Sequence, residues 1–377
     1  MSCRKIEEKY FRVLYFRRCS PFRSLSNWVK FKNIMEYNFL PTTDIKVSKI
    51  CLGTMTWGRQ NSASEAFDQM NFSIDNGVNF FDTAELYPVP ATADKYAVTE
   101  EIIGKWFNDS KKREKVILAT KIAGPGAYTA HIRKSGFKGN SIEEAVEGSL
   151  KRLNTDYIDL YQLHWPERIT NTFGNRSFQY VKDSWEENFL EILEKLNKLI
   201  LSGKIRHIGL SNENPWAIMK FNEYSKKSLP KMITIQNPYS LLNRLFEIGS
   251  SEICKYENLG LLAYSPLAFG VLTGKYFNNK IPKKSRLDLF PNLKRYNGKN
   301  SMNAALMYNQ IAKKYNISLT NLALSFVNDR PFVTSNIIGA TSINQLKENI
   351  ESINVKLSEE IIKDINQVQE LFPNPAP

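Results

Sequence analysis

The chain has 377 residues, 42% of them hydrophobic, which is enough for one large core or for two domains. Its formal charge of +13 is uneven: residues 1–35 hold nine Lys/Arg and two acids, so the remaining body carries only +6 and is not read as a nucleic-acid binder. The four cysteines (Cys3, Cys19, Cys51, Cys254) form no CxxC pair, which favours a reducing, cytoplasmic compartment, and no apolar run approaches the ~20 residues of a membrane span.

Residues 1–34 read as a basic, disordered extension. The run RVLYF (12–16) is too short for a secretory h-region and is followed by Arg17-Arg18. The Arg and aromatic content leaves organelle targeting open, while Glu7 and Glu8 oppose it. Residues 35–377 are expected to form a single domain. Residues 36–48 predict a hairpin, with Pro41-Thr-Thr-Asp44 supplying the turn.

From there strand and helix patterns alternate. The expected strands are 49–53, 78–81, 116–119, 157–163, 205–209, 232–235, 261–264 and 336–338. Helical periodicity falls over 65–76, 98–107, 142–153, 185–200, 304–315, 319–328, 342–353 and 359–371. Ser141 with Glu144 fits a capping box, and Ser342 with Gln345 opens a later helix. Eight β/α repeats without any G-x-G-x-x-G turn predict an α/β fold, a closed (β/α)8 TIM barrel with an N-terminal hairpin and extra C-terminal helices.

Sites of such barrels lie at the C-terminal ends of the strands. Asp82 follows VNFF, Lys121 follows VILAT and His164 follows YIDLYQL, on three consecutive strands. Tyr87 comes five residues after Asp82. Long loops at 122–140, 165–183 and 266–300 share that face, and Tyr128, Trp165 and Phe173 on them could wall an apolar pocket. Alone, each ionisable residue reads as a cap or a solvated charge. Together they suit general acid catalysis: an ammonium favours the phenolate, a carboxylate anchors the ammonium, and a neutral imidazole orients a carbonyl. The hydride such a site needs must come from a cofactor. No metal site is expected, because His131 and His207 have no clustered partners.

Eight ordered blocks now carry a resemblance. GTMTWG (53–58), DTAELY (82–87), LATK (118–121), SLKRLNTDYIDLYQLHWP (149–166), GKIRHIGLSN (203–212), TIQNPYSLLNR (234–244), LLAYSPLAFGVLTGKY (261–276) and IIGATSINQLKEN (337–349) resemble the aldo-keto reductases. Within them the chain is most similar to the bacterial Tas-type reductases, in the branch that includes potassium-channel β subunits. The resemblance implies an NADPH-dependent reductase of aldehyde or ketone carbonyls. It makes Tyr87 the proton donor, Lys121 the residue lowering its pKa, Asp82 the partner of Lys121, and His164 the residue orienting the carbonyl. Thr54, Met55 and Gln60 match first-strand cofactor contacts. Gln236 matches a nicotinamide neighbour, with Ser211 and Asn212 on the carboxamide. Tyr264, Ser265, Pro266, Leu267, Ala268 and Gly270 match the pyrophosphate loop, and Lys275 and Arg286 offer cations. Gly339, Thr341, Gln345, Glu348 and Asn349 match the adenosine end, and Trp57 and Trp165 are assigned to the substrate pocket. Ala340 and Gln345 stand where many relatives carry a Lys and an Arg for the 2′-phosphate; Arg286 and Lys347 are expected to compensate.

The partner expected is a small carbonyl compound, with no nucleic acid and no membrane, and a homo-oligomer is compatible with the sequence. The alternative reading is a cofactor-sensing regulatory subunit with little turnover, as in the channel branch.

Overall fold

The computed structural model describes residues 35–178, 180–291 and 295–377, so the extension expected over 1–34 lies outside the described residues. A short antiparallel hairpin, β1 (Tyr37–Phe39) with β2 (Lys46–Ser48), begins the described chain. Its turn is closed by Leu40 N–H donating to the Ile45 carbonyl at 2.9 Å. Leu40 and Val47 are fully buried against the barrel interior.

Eight parallel strands follow. They are β3 (Ile50–Gly53), β4 (Phe80–Asp82), β5 (Ile117–Ile122), β6 (Ile158–Leu163), β7 (Ile205–Ser211), β8 (Met232–Pro238), β9 (Gly260–Tyr264) and β10 (Val333–Ile338). They pair in sequence order, and β10 closes the barrel on β3. All eight strands expected from the sequence are present. Several run further toward the C-terminal rim than their apolar content suggested. β5 reaches Ile122, so Lys121 lies inside the strand and not after it.

Period-two alternation divides every barrel strand but β7 between two hydrophobic cores. Cys51, Phe80, Ala119, Leu160, Ile233, Leu262 and Ile337 fill the barrel interior together with the hairpin residues. Their neighbours pack outward against the helices, as Leu52, Phe81, Leu118 and Tyr161 do. Helices 98–110 and 141–153 approach so closely that a Cβ on Gly104 would stand 2.0 Å from the Arg152 carbonyl oxygen.

The local signals were partly misplaced. Ser141 is the first residue of its helix and not its cap; its hydroxyl is 2.7 Å from that of Ser135, and Asn140 holds the cap position. A full capping box instead starts the helix Ala63–Asp75, between Ser62 and Glu65. The helix expected from Trp185 begins at Phe189. Helices Pro215–Ser225 and Ser250–Tyr256 were not anticipated, although Pro215 sits in a first turn, where its missing N–H costs nothing. Among the described residues no helix is long and apolar enough to cross a membrane.

Candidate active site

The inward alternation of β4 and β5 continues past the apolar layer to polar residues. Asp82 lies two residues after Phe80, and Lys121 two after Ala119, with Asp82 and Ala119 in register. On β6 the series is Leu160, Gln162 and then His164 just beyond the strand. The segment after β4 folds back over them. Glu85 N–H donates to the Lys121 carbonyl at 3.0 Å and Tyr87 N–H to the Ala84 carbonyl at 3.0 Å, which brings the Tyr87 ring above the lysine.

Lys121 is fully buried and each of its ammonium hydrogens has an acceptor. Nζ donates to Asp82 Oδ2 at 2.6 Å, to the Thr83 carbonyl at 2.8 Å and to the Tyr87 hydroxyl at 3.4 Å. Asp82 Oδ1 accepts from Gln236 Nε2 at 2.8 Å and from Gln162 Nε2 at 3.2 Å. Burying an ion pair costs several kcal/mol per ion unless its remaining donors and acceptors are met, and here they are. Burial works against the Lys121 ammonium, but the carboxylate of Asp82 and the hydroxyl of Tyr87 outweigh it, and its pKa rises.

Opposing effects act on Tyr87. Burial raises its phenol above the ordinary 10.0; Lys121 pulls it down and Asp82 pushes it up. The lysine therefore limits a rise and does not produce a net lowering. His164 is held well below its ordinary 6.5, first by burial and then by the Lys121 charge, so the imidazole is neutral. Its ring meets the Tyr87 ring edge-on at 5.8 Å between centroids, and its buried Nδ1 has no hydrogen-bond partner among the described residues.

A cleft of about 2020 Å³ opens over this group, lined by Tyr87 and His164, with Lys121 beneath. All three long loops wall it. Trp165 Nε1 donates to the Pro125 carbonyl at 2.9 Å and the indole packs against His164 and Phe173. Tyr128 accepts from Ala91 N–H at 2.6 Å. Trp57, expected on this wall, is not there. The chain turns after Thr54, and the fully buried indole of Trp57 points to the helix Ala63–Asp75, donating to Gln69 at 3.3 Å.

The cleft wall includes every cofactor contact expected from the resemblance except Ala268. Ala268 is fully buried behind the loop, whose wall is made by its neighbours Leu267 and Phe269. This loop is strained: Ser265, Ala268 and Phe269 have φ of 55°, 48° and 56°. Such conformations cluster at ligand clamps. Beyond it, Lys275 and Arg286 carry two neighbouring charges, and burial lowers both pKa values. Among the described residues Arg286 has no carboxylate partner. It touches Gln60 at 3.4 Å, its guanidinium is 4.7 Å from the Phe269 ring centre, and its buried Nε is unpaired. Two desolvated cations without a counter-charge among the described residues fit an anionic ligand. Lys347, the other expected compensator, does not line the cleft and pairs with Glu351 on the surface at 3.8 Å. Gln345, also on the wall, is committed to Thr341, from whose N–H it accepts at 2.9 Å.

His207 is in β7, away from His164 and His131, and among the described residues no cluster of His, Cys, Asp or Glu could hold a metal ion. Gln162 is the site residue that sequence reasoning missed. The available signal was a lone amide in an apolar strand, two residues before His164.

A polar strand-end site with a protonated phenol, a charged lysine, a neutral imidazole and a cationic groove suits protonation of an oxyanion beside an anionic cofactor. The profile of the Aldo/keto reductase family matches residues 49–370. The chain is similar to "Protein tas" of Escherichia coli (strain K12), 42% identical over 346 residues, covering 91% of this chain and 100% of that protein. It is 35% identical over 350 residues to "Uncharacterized oxidoreductase YrpG" of Bacillus subtilis (strain 168), covering 91% of this chain and 97% of that protein. It is 39% identical over 279 residues to "Aldo-keto reductase" of Babesia bovis, covering 69% of this chain and 98% of that protein.

Proposed function

The chain belongs to the aldo/keto reductase family, and from that premise we propose that it reduces aldehyde or ketone carbonyls to alcohols with NADPH, Tyr87 being the proton donor. The observation that carries this reading is the Tyr87 phenol, kept protonated by burial and touched by the Lys121 ammonium at 3.4 Å. A donor must hold its proton until negative charge develops on the substrate oxygen, then release it easily. Burial supplies the first requirement. The fixed Lys121 charge supplies the second, because it stabilises the phenolate left behind. Neutral His164, across the Tyr87 ring, is suited to donate a hydrogen bond that orients the carbonyl.

The hydride would come from NADPH, since no side chain can supply one. Gln236 would neighbour the nicotinamide, Ser211 and Asn212 would hold its carboxamide, the Tyr264–Gly270 loop its pyrophosphate, and Gly339 to Asn349 its adenosine. Lys275 and Arg286 would take phosphate charge. The lack of a carboxylate on Arg286 among the described residues supports NADPH over NADH, because the 2′-phosphate would supply the missing anion.

The test is a panel of aldehydes and ketones assayed in parallel with NADPH and NADH. Carbonyl-dependent oxidation of NADPH, faster than that of NADH, is expected. Tight NADPH binding with no oxidation on any member of the panel would instead support a cofactor-sensing subunit.

A further inference from the structure

The side chain at position 162 is out of keeping with its strand. β6 is buried along its whole length, and an apolar residue there would pack without cost. A buried amide costs free energy unless its polar atoms are paired. Gln162 is fully buried, and it is paired on both sides: Nε2 donates to Asp82 Oδ1 at 3.2 Å, and Oε1 accepts from Gln236 Nε2 at 3.2 Å. Gln236 Nε2 also reaches Asp82 Oδ1 directly at 2.8 Å. The three side chains close a triangle across strands β4, β6 and β8.

The neighbouring strand is closely packed here. Gly209 pairs with Gln162 in the β6–β7 register, and a Cβ on it would stand 3.4 Å from Gln162 Cγ and 2.2 Å from Thr234 Oγ1. Charge then sets the polarity. An ionised Asp82 only accepts, so both amides must turn their nitrogens toward it. With its Nε2 committed to Asp82 and Gln162, Gln236 is left with Oε1 for the cleft that it lines.

We propose that Gln162 is a positioning residue that ties the cofactor-facing Gln236 to the Asp82–Lys121 pair, so that cofactor binding and proton donation are set by one hydrogen-bonded unit. The inference rests on the reductase reading above. The titratable groups facing this unit are Lys121 from β5, Cys51 from β3, Tyr87 after β4 and His164 after β6, with Arg286 acting on Tyr87 from across the cleft.

Two variants of the full chain test it, Gln162→Leu and Gln162→Glu. Each is assayed for kcat and KM across pH, for NADPH affinity by fluorescence quenching, and for Tm. Gln162→Leu removes one charge-assisted hydrogen bond to Asp82 and the bond to Gln236, which is then held by Asp82 alone. A roughly tenfold loss of kcat and several-fold weaker NADPH binding are expected, with the carbonyl KM within about twofold. Gln162→Glu, while protonated, keeps a donor for Asp82 and an acceptor for Gln236. Its kcat and NADPH affinity should approach the wild type at low pH and fall as rising pH ionises a second carboxylate beside Asp82. This limb should be absent from both the wild type and Gln162→Leu. Wild-type pH profiles and NADPH affinities in both variants, with or without a change in Tm, would overturn the proposal. If the wild type binds NADPH but turns over no carbonyl, the reductase reading fails and the pH dependence of NADPH binding in Gln162→Glu still decides the role of Gln162. No NADPH binding by the wild type overturns both.

Discussion

Lys121 Nζ is 3.4 Å from the Tyr87 hydroxyl and is fixed there by a shorter, 2.6 Å bond to Asp82. The stronger contact thus positions the weaker one, and Asp82 acts on Tyr87 only through Lys121 and through its own charge.

Removing the lysine tests that arrangement. Lys121→Met should lower turnover by at least about 100-fold, the scale of a lost general-acid partner. It should also cost about 3–5 kcal/mol in stability, because Asp82 stays buried with a charge and only two amides to solvate it. Adding Asp82→Asn to Lys121→Met should recover much of the stability and none of the turnover. Urea midpoints and steady-state rates on the three proteins check both parts.

The pH dependence follows from two shifts of opposite sign. Tyr87 is raised above 10.0, so its proton is present throughout the neutral range and reduction should decline only above that value. His164 is lowered well below 6.5, so no acidic limb should appear near 6.5 in the rate profile. Stability behaves differently. A histidine depressed in the folded state stabilises fully above its unfolded value and loses that contribution as pH falls below it. Unfolding free energy should therefore fall below pH 6.5 even where kcat does not, and His164→Gln should flatten that fall. Urea titrations at several pH values measure it.

Arg286 offers a separation of binding from stability. Its guanidinium is buried against Phe269 and has no carboxylate among the described residues. Arg286→Met should weaken NADPH binding by roughly 10- to 100-fold, the scale of a strong charge-assisted contact, and leave NADH binding nearly unchanged. The Tm of the free protein should stay the same or rise, since an uncompensated buried charge is removed. Fluorescence titrations with both nucleotides and a melting curve are sufficient.

Much of this was legible in the sequence because a closed barrel repeats one rule. Apolar runs ending in Asp82, Lys121 and His164 mark strand ends, and strand ends share a rim. What was not legible depends on which way a side chain turns. Trp57 and Trp165 are both tryptophans just after barrel strands, yet only Trp165 faces the cleft, because the turn after Thr54 sends Trp57 toward a helix. Ala268 lies between two wall residues and is hidden by left-handed backbone angles that no composition announces. Gln162 was overlooked because a strand amide has no chemistry of its own; its meaning comes from Asp82, 80 residues earlier. The net rise of the Tyr87 pKa is a burial effect and needed coordinates.

The central claim is that the Tyr87 hydroxyl protonates the substrate oxygen. Its most direct measurement is carbonyl-dependent NADPH oxidation by Tyr87→Phe beside the wild type, with NADPH affinity recorded on both. The account predicts turnover in the wild type, a loss of at least about 100-fold in the variant, and NADPH affinity within a few-fold of wild type. A variant that turns over at the wild-type rate would contradict it.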